Sequence, residues 1–215
     1  MSSAAPQGTV FVVDDDASTR KALARLIGSV GLAAEVFPSA AAFLDHPRTE
    51  DPACIVLDLR MPGASGLALQ EQLAKSGIDL PIVFLTGHAD VPTSVQAMKA
   101  GAVDLIEKPF RAQELLDAIQ RALGRARSLQ AARGEREAVA RLVETLTPRE
   151  REVFGLVVTG LSNKEVGARL GASEKTIKVH RARVMEKMRA ASLADLVRKA
   201  QAVGIGPAGH ASSHA

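Results

Sequence analysis

Short apolar runs and longer amphipathic stretches alternate along the first half of the chain. "TVFVV" (9–13), "AAEVF" (33–37), "CIVL" (54–57), "IVFL" (82–85) and "VDLIE" (103–107) have the length and side-chain type of strands. Between them helical patterns begin near Ser18, Ser39, Gly66, Pro92 and Gln113. Strict alternation of strand and helix predicts an α/β domain, a doubly wound five-stranded parallel sheet with helices on both faces. In such sheets ligand chemistry gathers beyond the carboxyl ends of the strands.

The pattern then changes. After Gln113 a helical stripe of Leu115, Leu116, Ile119 and Leu123 runs on through Arg-rich and Ala-rich sequence. Gly134 is expected to interrupt it before Val139, Leu142, Val143 and Leu146 resume. Residues 125–146 therefore read as a partly helical linker, either a dimer-forming helix or a tether. From Thr147 four short helices are predicted, roughly 148–159, 163–170, 174–189 and 193–203. Thr147, Pro148 and Glu150 suit an N-cap, first-turn and capping-box set, and Ser162 with Glu165 and Ser192 with Asp195 repeat the signal. Ser173 caps the third helix. Gly171 supplies the tight turn of a helix-turn-helix, so a small all-α domain succeeds the α/β one. The small-residue tail "GIGPAGHASSHA", with His210 and His214, reads as disordered from 207 to 215.

Four of the five strands in the first domain run directly into polar residues. The first leads to Asp14 and Asp15, the third to Asp58, the fourth to Thr86 and the fifth to Lys108. A "DDD" run by itself fits a solvated loop. Polar groups delivered to one rim by four separate strands fit a site. Carboxylates that close share space badly unless a cation sits among them, and Asp14, Asp15 and Asp58 offer hard oxygens of the kind magnesium prefers. Lys108 and the Thr86 hydroxyl then suit an incoming anion such as phosphate. Asp16 fits the cap of the next helix. His88 reads as a loop residue and Cys54 as a small core residue.

Charge and composition sharpen the division. Of the 215 residues, those in 1–120 include nine basic and fifteen acidic, a net of −6; 121–146 carry +3 and 147–215 carry +6. The charge thus divides the chain into an acidic domain, a linker and a basic domain. A single Cys excludes an internal disulfide. Neither a secretory signal nor a long apolar run is present, which points to a soluble cytoplasmic protein without a membrane partner. With no Trp or Tyr and only six Phe, stacking on single strands is a poor fit. On the third helix of the basic domain, at about 100° per residue, Ile177, Val184 and Met188 fall on one apolar stripe. Lys175, Lys178, Val179, Ala182 and Arg183 fall opposite, with Thr176 beside them. Basic and small apolar side chains together suit a DNA major groove.

These stretches carry a resemblance. "VVDDD", "IVLDLRMPGASG", "VFLTGHADVPTSVQAMKAGAVD" and "EKPF", in order over residues 8–125, resemble the receiver domain of two-component response regulators. "LTPREREVFGLVVTGLSNKEVGARLGASEKTIKVHRARVMEKM" resembles the LuxR-type DNA-binding domain. The whole chain is similar to the NarL/FixJ response regulators, closest to the FixJ-like branch. The resemblance implies a receiver domain over 8–124, a helical linker over 125–146 and a DNA-binding domain over 147–206. It implies that Asp58 accepts a phosphoryl group from a sensor histidine kinase. Magnesium would then be ligated by Asp15, Asp58 and the main-chain carbonyl of Arg60, with Asp14 acting through water. Thr86 and Lys108 would contact phosphoryl oxygens, with a cis peptide at Lys108-Pro109. Phosphorylation would control a homodimer on promoter DNA, with RNA polymerase as a further partner. Lys178 and Val179 would be groove-facing, whereas Arg181 lies nearer the core edge.

Two positions depart from the pattern. Leu105 stands where many receivers carry the Tyr or Phe that reports phosphorylation, and Ala182 where some relatives carry a basic base-reading side chain. Aspartate-nucleophile phosphatases, which also form an acyl phosphate, need a second carboxylate two residues after the nucleophile. Arg60 occupies that place, so the chain is not read as a metabolic enzyme. The competing reading is a phosphorelay or protein-binding adaptor that does not use DNA.

Overall fold

The computed structural model describes residues 8–46, 51–63, 65–87 and 91–206. His88, His210 and His214, and the tail 207–215, lie outside them. The chain divides into two compact units, one up to Gln130 and one from Ala131.

Five strands form the centre of the first unit: β1 (Thr9–Val13), β2 (Ala33–Phe37), β3 (Ala53–Asp58), β4 (Ile82–Thr86) and β5 (Asp104–Glu107). All pair parallel, in the order β2-β1-β3-β4-β5. Each returns through a helix: α1 (Ala17–Ser29), α2 (Ala40–Leu44), α3 (Gly66–Lys75) and α4 (Val91–Lys99), with α5 (Ala112–Glu144) after the last strand. Side chains alternate across a strand, and here both faces are buried. Val10, Val12, Cys54, Val56, Val83 and Leu85 pack with Leu23 and Ile27 of α1 and Leu115, Ile119 and Leu123 of α5. Phe11, Val13, Ile55, Leu57 and Phe84 pack with Phe43 of α2, Leu69 and Leu73 of α3 and Ala97 of α4. The central strands are therefore apolar without interruption, as a doubly covered parallel sheet requires.

Gly66 begins α3 directly beneath the end of β3. Its N–H donates to the Leu59 carbonyl at 3.0 Å, and a Cβ there would lie 2.6 Å from the Asp58 carbonyl oxygen. Only glycine lets this helix start so close to the strand. Gly134 behaves differently from the sequence expectation. The helix α5 passes through it unbroken for 33 residues. A glycine in a helix costs only about 1 kcal/mol relative to alanine. The flanking Ala, Arg and Glu residues favour helix, and buried side chains fix both ends: Leu115, Ile119 and Leu123 early, Val139 late.

The second unit is helical: α6 (Pro148–Val157), α7 (Asn163–Leu170), α8 (Glu174–Lys187) and α9 (Leu193–Ala202). Thr147 and Glu150 form a reciprocal capping box, as do Ser162 and Glu165. At α9 the box is incomplete. Ser192 Oγ accepts from the Asp195 N–H, but the Asp195 carboxylate turns to the Ala191 N–H. Gly171 ends α7 in the left-handed region at φ 64°, which permits the tight turn into α8. Val153, Phe154, Val157, Val166, Ile177, Val184, Met188 and Leu196 make the core.

One buried charge belongs to this core. Glu150, 3% exposed, receives the Lys187 ammonium at 2.6 Å and the Thr147 N–H at 2.9 Å. The Lys187 hydrogen bond first, and the Thr147 N–H with it, hold the Glu150 carboxyl down to about 2 from 4.5, against the opposing effect of burial. A lowered folded-state pKa contributes stability above the unfolded value and loses it as pH falls. The second unit is therefore expected to lose this contribution progressively between about pH 4.5 and pH 2. In Glu150→Gln, thermal melts should show a deficit at neutral pH that shrinks over that same interval. A second outcome concerns the glycines. Gly66→Ala should destabilise the first unit by about 1–3 kcal/mol through overpacking. Gly134→Ala should leave stability unchanged or raise it by up to about 1 kcal/mol, both measured by denaturant unfolding.

Candidate functional site

The strand register brings the polar rim together. Val13 lies opposite Leu57, so the residues next in sequence, Asp14 and Asp58, leave the sheet side by side. Asp58 lies opposite Leu85 and Thr86 opposite Glu107, which places Thr86 and Lys108 at the next levels of the same edge. Carboxylate oxygens of Asp14, Asp15 and Asp58 all lie within 4.8 Å of one another. Asp14 is 1% exposed and Asp58 9%, whereas Asp15 is open to solvent.

Lys108 holds this cluster. Its ammonium donates to Asp14 Oδ2 at 2.9 Å and to Asp58 Oδ2 at 2.7 Å. Burial opposes the charge on Lys108, but hydrogen bonds to Asp14 and Asp58 and their negative charge outweigh it, so its pKa lies above the ordinary lysine value. The Lys108 N–H also donates to the Thr86 carbonyl at 2.7 Å, and the Lys108-Pro109 peptide is cis. Thr86 is fully buried at the end of β4. The Arg60 N–H donates to Asp58 Oδ1 at 2.9 Å, so the loop after β3 orients the carboxylate. Three carboxylates against one ammonium leave two negative charges on hard oxygen donors, a set that matches a small divalent cation.

Sequence reasoning missed some of the supports. Arg20, one turn into α1, donates to the Asp14 carbonyl at 2.6 Å, and the Asp16 N–H donates to Asp14 Oδ1 at 2.8 Å. Asp16 also accepts from the Thr19 N–H, capping α1. These contacts depend on how the turn folds back, which spacing does not reveal. Leu105 is half-buried and packs against the core that contains Phe84. Cys54 is enclosed, and burial pushes its thiol up to about 12, so it is no nucleophile.

In the second unit, Lys175, Thr176, Lys178, Val179, Ala182 and Arg183 are all exposed on α8, and Ile177, Val184 and Met188 are buried. The Thr176 hydroxyl lies 2.8 Å from Ser173 Oγ and so shares in the cap. Arg181 is half-buried and donates to Asn163 Oδ1 at 3.2 Å, a tie to α7. Lys187 binds Glu150, and Lys199 donates to the Met188 and Arg189 carbonyls at 3.1 and 2.6 Å. The helix is thus fixed by side chains away from its exposed face. Among the described residues, no helix is long and apolar enough to cross a membrane.

Comparisons with known proteins agree with both units. Residues 10–120 match the response regulator receiver domain, and residues 144–200 match the bacterial regulatory proteins of the luxR family. Nodulation protein W of Bradyrhizobium diazoefficiens is 50% identical over 202 residues, 94% of this chain and 89% of that protein. The transcriptional regulatory protein FixJ of Azorhizobium caulinodans is 45% identical over 203 residues, 94% of this chain and 96% of that one. Among solved structures, the response regulator StyR superposes with a TM-score of 0.76 at 46% identity, over 91% of this chain and 98% of that chain. Full-length FixJ from B. japonicum gives a TM-score of 0.56 at 40% identity, over 93% and 98%. A parallel sheet with an acidic rim, a helix-turn-helix with a basic outer face, and relatives that match across both units place this chain in the response regulator family, with a receiver domain followed by a LuxR-type DNA-binding domain.

Proposed function

We propose that phosphorylation of Asp58 by a sensor histidine kinase controls a homodimer that binds promoter DNA through α8. The receiver spans 8–124, the linker 125–146 and the DNA-binding domain 147–206. The reading rests foremost on one observation: Lys108 bridging Asp14 and Asp58 at the end of the sheet. Phosphoryl transfer asks a protein for positioning and charge neutralisation more than for covalent chemistry. An Asp58 carboxylate oxygen forms the new P–O bond as the P–N bond of the donor phosphohistidine breaks and its imidazole takes up a proton. The Arg60 N–H holds the other Asp58 oxygen, which fixes the direction of attack. Lys108 exchanges Asp58 Oδ2 for a phosphoryl oxygen, and the Thr86 hydroxyl contacts another. Asp15, Asp58 and the Arg60 carbonyl would hold a magnesium ion, with Asp14 acting through water, and the ion would supply further neutralisation of the transferring group. The site works in the cytoplasm, where such kinases present their donor group.

Dimerisation has a surface to use. On α4, Val91, Val95 and Met98 are 75%, 45% and 45% exposed, spaced as one helical face, beside the edge strand β5. A second copy covers this apolar face in the active state. Paired helix-turn-helix units then meet half-sites centred about one helical turn, or a multiple of it, apart. RNA polymerase is the partner through which the bound dimer acts on transcription.

Asp58→Asn should abolish phosphoryl incorporation from a small acyl-phosphate donor with magnesium present, because an amide is not a competent nucleophile. It should also abolish donor-dependent dimerisation in analytical ultracentrifugation. Hydroxylamine-labile phosphate at full stoichiometry in the variant would exclude Asp58. For DNA, Lys178→Ala should weaken binding. Arg183→Ala should flatten the log–log salt slope by about one unit, the signature of one lost phosphate contact. Unchanged affinity and slope in the double variant would remove the α8 face from the interface.

A further inference from the structure

α4 is held against its domain by little apolar packing. Of its nine residues, all described, Ala97 alone is fully buried, and one methyl group removes little surface from water. A polar side chain adds to this hold. Gln70 of α3 is 6% exposed, and its Nε2 donates to the Ala97 carbonyl at 3.3 Å and to the Ala100 carbonyl at 3.1 Å. The tie thus reaches the last turn of α4 and the residue just past its end.

Both partners are carbonyls, which can only accept, so the amide is oriented with its nitrogen toward α4 and its oxygen away. That oxygen is buried and has no hydrogen-bond partner among the described residues. Both bonds are long for N–H···O, and a buried acceptor left unpaired offsets part of what they contribute. The tie is therefore weak. Gln70, Ala100 and Gly101 also border an open cavity of about 180 Å3, which leaves the turn after α4 room to shift. Gln70 lies one helical turn beyond Gly66, which starts α3 against the Asp58 carbonyl. One helix joins the strand end that carries Asp58 to the end of the helix that carries the apolar face.

This tie is made while Lys108 bridges Asp14 and Asp58, the arrangement that precedes phosphorylation in the proposed function. A bond made in one of two conformations and lost in the other biases the protein toward the first. We propose that Gln70 is a positioning residue, a weak latch that holds the end of α4 in the unphosphorylated arrangement and so restrains pairing through Val91, Val95 and Met98. This rests on the proposed pairing of two copies through α4 and adds what opposes it before phosphorylation.

Gln70→Met tests the latch, because methionine keeps the length of the side chain while removing the carboxamide. The Ala97 carbonyl keeps the Ala102 N–H at 3.2 Å and Ala100 is exposed to water, so neither carbonyl is left buried and unpaired. The denaturant midpoint of the first unit should stay close to that of the unaltered protein. Hydrogen exchange of the full-length protein without donor should speed up about fivefold to tenfold in α4, the worth of one net hydrogen bond. Exchange in β1 and β3 should not change. In analytical ultracentrifugation without donor, the dimer dissociation constant should fall by a similar factor, because the pairing conformation becomes that much more populated. Gln70→Leu should act in the same direction and serves if the methionine variant folds poorly. Unchanged exchange of α4 in both variants would overturn the latch. Faster exchange with an unchanged or raised donor-free dissociation constant would overturn its restraint on pairing. An unaltered protein that stays monomeric when fully phosphorylated would overturn the pairing itself, whatever the exchange of α4 shows.

Discussion

Two carboxylates that leave a buried parallel sheet side by side must either repel, protonate or find a cation, and in this protein the cation is Lys108. Like charges a few ångströms apart at a protein surface repel by several kcal/mol. Asp14 is almost wholly enclosed, and Asp58 nearly so. The ammonium offsets one charge of the cluster and reaches both carboxylates only because β5 lies beyond β4 with Thr86 and Glu107 in register. Shifting one strand by a single residue would turn its core-facing side chains to the opposite face and carry its terminal polar residue out of reach. The rim chemistry and the two-faced core are consequences of one register. Gly66 belongs to the same constraint, since it lets α3 start against the Asp58 carbonyl without pushing β3 out of line.

The second unit solves a related problem with polar ties. A helix offered to a partner must stay in place while its outward side chains remain free. The apolar stripe of α8 supplies burial, and side chains off the exposed face supply orientation. Arg181 reaches Asn163 on α7, Lys187 reaches Glu150 at the start of α6, and Lys199 on α9 reaches the Met188 and Arg189 carbonyls just past the end of α8. Glu150 also completes the capping box of its own helix, so one carboxylate orders a helix start and anchors the end of another. Breaking such a buried pair by removing one partner is costly because the other is left uncompensated.

Elements with a strong local signature are legible from the amino acids alone. The strands at 9–13 and 33–37 and the helix at 163–170 agree with the structure at both ends, because short apolar runs, serine caps and Gly171 act locally. The acidic rim is legible for another reason: each polar group directly succeeds an apolar strand, and parallel strands end on one edge. Less visible is anything joining residues distant in the chain by a side-chain tie. Arg20 against the Asp14 carbonyl, Arg181 against Asn163 and Lys187 against Glu150 depend on three-dimensional placement. At Gly134 the glycine alone points to a break, but the helix-favouring residues around it and side chains buried at the two ends of α5 outweigh it and keep the helix whole.

The size of the switch is set by the groups the site contains. Under the proposed phosphorylation, Lys108 leaves Asp58 Oδ2 for a phosphoryl oxygen, and Thr86 gains a contact. Hydrogen bonds to charged groups are each worth about 1.5–3 kcal/mol net, and only their difference between two receiver conformations moves an equilibrium. Reversing a population from 1:99 to 99:1 takes about 5.5 kcal/mol. Leu105 brings no aromatic ring to add packing energy on one side of that balance. The exchange at Lys108 therefore falls short of a complete switch by itself. Under the proposed dimerisation the remainder comes from association: a conformation that a second copy binds is stabilised by an amount that grows with the logarithm of protein concentration. The apolar residues of α4, Val91, Val95 and Met98, are placed to provide it. Under the proposed dimerisation, pairing is part of the energy that holds the phosphorylated state, and the active fraction depends on the amount of protein as well as on the kinase.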